Sequence, residues 1–223
     1  MGWNEWARGR VVEPSLYAAD FARLGEQVAL LLDAGATVFH WDVGDGHFVE
    51  PVTMGPIVLQ AIAPLVHDRG GVLDVHLMVD NPERQVPQFA AAGADSVTLH
   101  VEVDWEPALR TAREHGLGAG LALSPETPVE EALAATDGFD IVLCMSVHPG
   151  YSGQAFIPES VERVRRLAEA LPGGMLVQVD GGIGRENAPL LRDAGASLLV
   201  AASAVFGADD PAAAYRALAD AVG

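Results

Sequence analysis

One pattern constrains this chain more than any other. A short run of β-branched and other apolar residues, followed by a helical stretch of about 10–14 residues, recurs from one end to the other. The runs lie near Val11–Leu16, Thr37–Val43, Val72–Val79, Ser96–Val101, Gly118–Leu123, Ile141–Val147, Met175–Val179 and Ser197–Ala201. Amphipathic segments such as Phe21–Ala34, Glu83–Ala92, Ser160–Leu171 and Glu186–Ala194 separate them, and Pro211–Val222 follows the last run. Such alternation implies parallel strands joined by crossover helices. The tripeptide Ala-Gly-Ala, at 34–36, 92–94 and 194–196, marks three helix-to-strand junctions. A glycine just past a helix end takes the left-handed conformation at little cost. Eight units in 223 residues, with no linker or low-complexity tract, predict one α/β domain over residues 1–223: a closed (β/α)8 TIM barrel rather than an open sheet of about five or six strands.

Composition narrows the function. Half the residues are hydrophobic, enough for a large core. No run approaches the roughly 18 uncharged apolar residues that span a bilayer. Met1 to Arg10 has neither the basic flank nor the apolar stretch of a secretory signal, and Trp6 breaks the myristoylation pattern after Gly2. The single cysteine, Cys144, fits a reducing, cytoplasmic setting. A formal net charge of −18 argues against nucleic acid and anionic membranes as partners. It does not argue against small anions, which local backbone N–H groups can bind. All 13 basic residues are arginine. Without lysine, Schiff-base chemistry, a P-loop lysine and a lysine general base are all excluded.

A barrel of this kind places its chemistry at the C-terminal ends of its strands. There the second run carries His40 and Asp42, two apart and so on one face. The third run carries His76 and the seventh ends at Asp180. A single inward histidine is ordinarily a hydrogen-bonded core residue, and an aspartate before Gly-Gly ordinarily starts a turn. Four such groups at one rim are costly to bury unless they share a partner. Together they form a candidate site for one divalent metal, with zinc, iron, manganese and cobalt all compatible. Met78 and Met145 lie near strand ends, where they would shape a pocket wall or simply fill core. His100, Glu102 and Asp104 read as a solvated rim, His67 and His115 as surface residues, and the acidic 127–131 stretch as a helix start.

Glycines cluster after the sixth and seventh runs, at Gly150, Gly153, Gly181 and Gly182, and Ala201-Ala202-Ser203 follows the eighth. Glycine lets backbone N–H groups approach an anion closely, and barrels often bind phosphate at the loops after strands seven and eight.

At these residues the chain resembles the ribulose-phosphate 3-epimerase family, from about Glu13 to Asp209. The resemblance is carried by "PSLYAADFARL" from Pro14, "FHWDVGDGHFV" from Phe39, "LDVHLMVDNPE" from Leu73, "AGADSVTLHVE" from Ala92, "LSPETP" from Leu123, "MSVHPGYSGQAFIP" from Met145, "VDGGI" from Val179 and "ASAVF" from Ala202. It implies a (β/α)8 isomerase of the pentose phosphate pathway that acts on a phosphorylated ketose, D-ribulose 5-phosphate or D-xylulose 5-phosphate. It further implies a divalent metal on His40, Asp42, His76 and Asp180, with Asp42 and Asp180 as the acid/base pair. Ser15 matches a substrate-contacting serine, and Gly150, Gly153, Gly181, Gly182 and Ser203 match positions around the phosphate. The resemblance also implies a homo-oligomer.

Four positions depart from the family pattern. Gly44 stands where the family has methionine, which is expected to open space near the reacting carbon. Glu50, Ser152 and Ala202 alter the neighbouring loops, and the Ala202 methyl is expected to crowd the phosphate nest. These changes leave open a hexulose or tetrulose phosphate as substrate. A lyase on the same barrel and a non-catalytic sugar-phosphate binder are the other readings. The first is disfavoured by the lack of lysine, and the second by the paired aspartates.

Overall fold

The computed structural model describes residues 2–7 and 11–223. Its strands are β1 (Val11–Pro14), β2 (Val38–Gly44), β3 (Val72–Met78), β4 (Ser96–His100), β5 (Gly118–Leu123), β6 (Ile141–Met145), β7 (Leu176–Asp180) and β8 (Leu198–Ala201). Every ladder is parallel, and β1 pairs with β8, which pairs with β7, and so on round to β2. A parallel bridge between Ser15 and His40 joins β1 to β2 and closes the ring. The chain is therefore a (β/α)8 barrel.

The helices follow in chain order: α1 (Trp3–Trp6), α2 (Leu24–Asp33), α3 (Pro56–His67), α4 (Pro82–Ala92), α5 (Glu106–Glu114), α6 (Val129–Ala134), α7 (Ser160–Ala170), α8 (Ala188–Ala194), α9 (Ser203–Phe206) and α10 (Pro211–Val222). Proline sits in the first turn of α3, α4, α5, α8 and α10, where its missing N–H costs nothing and its fixed φ suits a helix. Gly35, Gly93 and Gly195 of the Ala-Gly-Ala junctions have φ of 102°, 104° and 110°. The expected helix over Phe21–Ala34 is split instead. A 3-10 turn at Phe21–Arg23, whose Ala22 N–H is accepted by the Asp20 side chain, precedes α2. The helix expected from Glu186 begins at Ala188, because the Asn187 side chain holds the preceding turn through the Gly184 N–H.

Strand residues alternate between two environments. The outward set, including Phe39, Trp41, Leu73, Val75, Leu99 and Leu121, is fully buried under the helices and makes the main apolar core. That is why these strands read as nearly continuous apolar runs. The inward set is uneven. β6 contributes Ile141, Leu143 and Met145, and β5 contributes Gly120 and Ala122. β1 to β4 and β7 contribute buried Glu13, His40, Asp42, Asp74, His76, Ser96, Thr98, His100 and Gln178. One side of the barrel lumen is apolar and the other is charged.

The lower end of the barrel is sealed by a part of the chain that the sequence pattern does not mark. Trp3 of α1 is 2 % exposed and packs with Val38, Val72, Ile141 and Leu198, the first residues of β2, β3, β6 and β8. Trp6 meets it edge to face at 5.5 Å. Gly118, which opens β5, leaves room for the indole, since a Cβ there would lie 3.1 Å from Trp3 Nε1. Trp3→Ala should therefore cost about 3–5 kcal/mol, the usual range for emptying a buried tryptophan site. Urea unfolding of the two proteins checks this. A loss below about 1 kcal/mol would mean that the indole is not part of the core.

Candidate metal and active site

The polar side of the lumen is built in two layers. Residues two apart on a strand face the same way. The upper layer therefore holds Ser15, Asp42, His76 and Asp180, and Glu13, His40, Asp74 and Gln178 stand one step below. The ladder between β2 and β3 sets His40 beside Asp74 and Asp42 beside His76.

The lower layer orients the upper one. His40 Nδ1 has its acceptor in Asp74 Oδ2 at 3.1 Å, with Glu13 Oε2 nearby at 3.6 Å, so this nitrogen carries a proton. Asp74 also accepts from Ser96 Oγ at 2.7 Å and from Gln178 Nε2 at 2.8 Å. The other ring nitrogen of His40 is buried without a hydrogen-bond partner, 3.3 Å from Asp42 Oδ1. His76 Nδ1 lies 3.2 Å from the same oxygen and 3.9 Å from Asp180 Oδ2. Ser15 Oγ donates to Asp42 Oδ2 at 2.5 Å.

His40, Asp42, His76 and Asp180 each offer one ligand atom, all within 4.8 Å of one another. The four groups predicted from the sequence thus converge and could hold a metal ion. Two further groupings among the described residues fit less well. Between Glu13, His40 and Asp74 the Gln178 amide donates to both carboxylates, which places N–H hydrogens where a cation would sit. In the exposed Asp45, His47 and Asp80 group, the Asp45 carboxylate is already taken by the backbone N–H groups of His47, Phe48 and Asp80.

Electrostatics point to the same centre. Burial alone would lower the His40 pKa, but the charge of Asp42 and contacts to Asp42, Asp74 and Glu13 outweigh it and hold it well above the ordinary value. Burial would raise Asp42, yet the charge of His40 and close contacts with the His40 and His76 rings keep it well below the carboxylate range. Asp180 goes the other way: burial, then repulsion from Asp42, pushes it up to about 7. Burial lowers His76 to about 4, so its ring is neutral. Two carboxyls at one mouth with opposed tendencies are suited to acid and base roles, and a bound cation would favour the ionised form of both.

Above this floor lies an open cleft. Ser15, Asp42, Met78, Met145 and Asp180 line it, and so do Gly150, Gly153, Gly181, Gly182, Ala202 and Ser203 from the loops after β6, β7 and β8. Of the residues singled out in the sequence for the site, only His40 and His76 are not on its wall; both are fully buried behind Asp42. Gly181 has φ 119°, and a side chain there would run into Val147. Gly182 has φ 63°, and its Cβ would meet Phe156 N at 2.8 Å. Both positions require glycine.

Two expectations are corrected. Gly44 does not open space, because a Cβ there would meet Pro51 O at 2.5 Å and Val49 Cγ2 at 2.9 Å; the loop after β2 folds into that place. His100 is not on a solvated rim but fully buried. It extends the Ser96, Thr98, His100 alternation into the lumen, and Nε2 of His100 and Nε2 of His76 are 2.9 Å apart. Sequence reasoning also passed over Glu13, Asp74 and Gln178. The signal for them was the period of two: each precedes a site residue by two positions.

Comparison with known proteins agrees with this picture. The model of the ribulose-phosphate 3 epimerase family matches residues 11–206. The ribulose-phosphate 3-epimerase of Bacillus subtilis is 42% identical over 205 residues, covering 89% of this chain and 93% of that protein. The enzymes of that name from Mycobacterium bovis and Synechocystis are each 43% identical, covering 94% and 89% of this chain and 92% and 88% of theirs. Among solved structures, 3-hexulose-6-phosphate synthase from Salmonella typhimurium superposes with a TM-score of 0.75 at 15% identity, covering 95% of this chain and 98% of that one. Thiamine phosphate pyrophosphorylase from Pyrococcus furiosus gives 0.72 at 22% identity, covering 98% of both chains. Both show the barrel fold and no more.

Proposed function

The chain belongs to the ribulose-phosphate 3-epimerase family, and on that premise we propose that it interconverts D-ribulose 5-phosphate and D-xylulose 5-phosphate by two-carboxylate proton transfer. The observation that carries the mechanism is the pair Asp42 and Asp180, which enter one cleft from β2 and β7 with opposed proton affinities. Inverting the carbon beside a ketone requires a proton to leave one face and another to arrive on the opposite face. One carboxylate takes the proton from carbon; the other, protonated, returns one from across the substrate. Ser15 holds the Asp42 carboxylate by its hydrogen bond. Met78 and Met145 give the cleft an apolar wall that keeps water from the reacting carbon. Backbone N–H groups of the glycine loops, with Ser203, take the phosphate.

His40, Asp42, His76 and Asp180 would hold one divalent metal, with zinc, iron, manganese and cobalt all suited to mixed nitrogen and oxygen ligands. Such an ion supplies Lewis-acid stabilisation of the negative charge that develops on the substrate oxygens. The metal-free part of the chemistry rests on the carboxylates alone, since the chain offers no lysine. The altered loop after β2, with Gly44, Glu50 and Pro51, is the feature through which a different ketose phosphate would be selected. A cytoplasmic setting agrees with a lone, buried, free Cys144 and with the absence, among the described residues, of any helix long and apolar enough to cross a membrane.

Asp42→Asn and Asp180→Asn should each lower kcat by at least about 10²–10⁴-fold, the range for losing a general acid or base. A strong chelator should abolish turnover and a divalent metal restore it. An epimerisation assay over four- to six-carbon ketose phosphates checks all three; full activity of either variant would remove that residue from the acid/base pair. A homo-oligomer is also proposed, supported by exposed Phe21, Val52, Ile57 and Val58. The mass in solution should be a multiple of 23.4 kDa, and a monomer would contradict it.

A further inference from the structure

Behind His76 stands a line of polar groups that proton transfer to the sugar does not use. His76 Nε2 and His100 Nε2 are 2.9 Å apart. Their ring planes lie within 19° of parallel with centroids 5.0 Å apart, as for two rings meeting edge to edge through a shared hydrogen. On the far side, His100 Nδ1 is 2.9 Å from Glu102 Oε2. The other oxygen of that carboxylate accepts from the Ser124 backbone N–H at 2.7 Å and from the Thr127 hydroxyl. His76 and His100 are fully buried, and Phe48 packs on His100 with ring centroids 4.7 Å apart. Water is therefore kept from the bond between the two rings, while the Glu102 side chain at the end of the line is 23 % exposed.

Hydrogen bookkeeping along the line leaves two arrangements with both rings neutral: one sets a bare nitrogen against Glu102 at 2.9 Å, the other against Asp42 at 3.2 Å, and the shorter contact with Glu102 is the one that takes the hydrogen. Glu102 is an acceptor, so His100 carries its hydrogen on Nδ1 and its Nε2 is bare. Two bare or two protonated nitrogens at 2.9 Å would repel, so His76 must place its hydrogen on Nε2. Its Nδ1 is then bare and faces Asp42 and Asp180. We propose that Glu102, acting through His100, is a positioning residue that fixes His76 in the tautomer whose Nδ1 lone pair is free for the metal. The part played by the metal rests on the site reading given above; the tautomer rests on the shorter contact between His100 and Glu102. Partners of this kind on the second nitrogen of a ligand histidine fix its ring and its basicity.

Glu102→Gln tests this, because the direction of its effect is dictated. The Ser124 N–H needs an oxygen opposite it, so the carboxamide turns its NH₂ toward His100 Nδ1. His100 must then carry its hydrogen on Nε2, which faces the Nε2 hydrogen of His76. The zinc-loaded full-length chain, competed against chelators of graded affinity, should release zinc about 10–100-fold more readily in Glu102→Gln than in wild type. Long-range ¹H–¹⁵N correlation spectra of the histidines should show His100 with hydrogen on Nδ1 only and His76 with hydrogen on Nε2 in the wild-type protein. Equal zinc retention by the two folded proteins would overturn the proposal. So would wild-type spectra with His100 doubly protonated or His76 bare at Nε2, and these need no variant to fold. Failure of the wild-type chain to take up zinc, with the tautomers as predicted, would instead count against the metal reading alone.

Discussion

The structure depends on how a barrel can bury four carboxyl groups and three imidazoles in its lumen. Ionised groups placed in low dielectric cost several kcal/mol each unless they are paired and hydrogen-bonded. Asp74 shows the solution: it is wholly buried, yet accepts from Ser96, Gln178 and the His40 ring. Where acceptors outnumber donors, the protonation state gives way. Burial, against its hydrogen bond with His40, pushes Glu13 up to about 7. At the top of the lumen the balance stays incomplete, because His40 Nε2 has no hydrogen-bond partner and the Asp42 carboxylate faces it at 3.3 Å. His40, Asp42, His76 and Asp180 could hold a cation, which would complete it.

Stability and chemistry are divided between the two faces of the strands. The outward face packs against helices with residues such as Trp41, Phe39 and Leu121, and pays for the polar interior. At the lower end Trp3 packs with Val38, Val72, Ile141 and Leu198, an apolar layer beneath the charged ones. On the apolar side stand Leu143 and Met145, so the groups that could hold a metal gather on β2, β3 and β7. The glycines at 181 and 182 let the loop after β7 lie directly on Val147 and Phe156, so this backbone is held by packing as well as by its own turns.

Much of this was legible in the sequence. The eightfold alternation gave the barrel, and the paired positions His40 and Asp42 gave the rim. What escaped was information carried by register. Glu13, Asp74 and Gln178 differ from ordinary strand polar residues only in sitting two positions before a site residue, and that matters only once the strands are known to be inward-facing at both. His100 ends a strand, where a rim and a lumen position look alike; its place is fixed by pairing with β5 and β3. Trp3 belongs to no repeat, so periodicity was blind to it. Gly44 misled for a different reason: the loss of a side chain suggests a void, but here the backbone at Pro51 occupies the space.

The lumen brings His40, His76 and the carboxylates of Asp42 and Asp180 within reach of one point, where we propose that a single cation binds. Diffraction from crystals of the metal-loaded protein, recorded on both sides of the metal's absorption edge, locates the ion without reference to activity. The account predicts one strong anomalous peak per chain, about 2.0–2.2 Å from those four groups. A peak at Asp45, His47 and Asp80 instead, or none in the lumen, would contradict it.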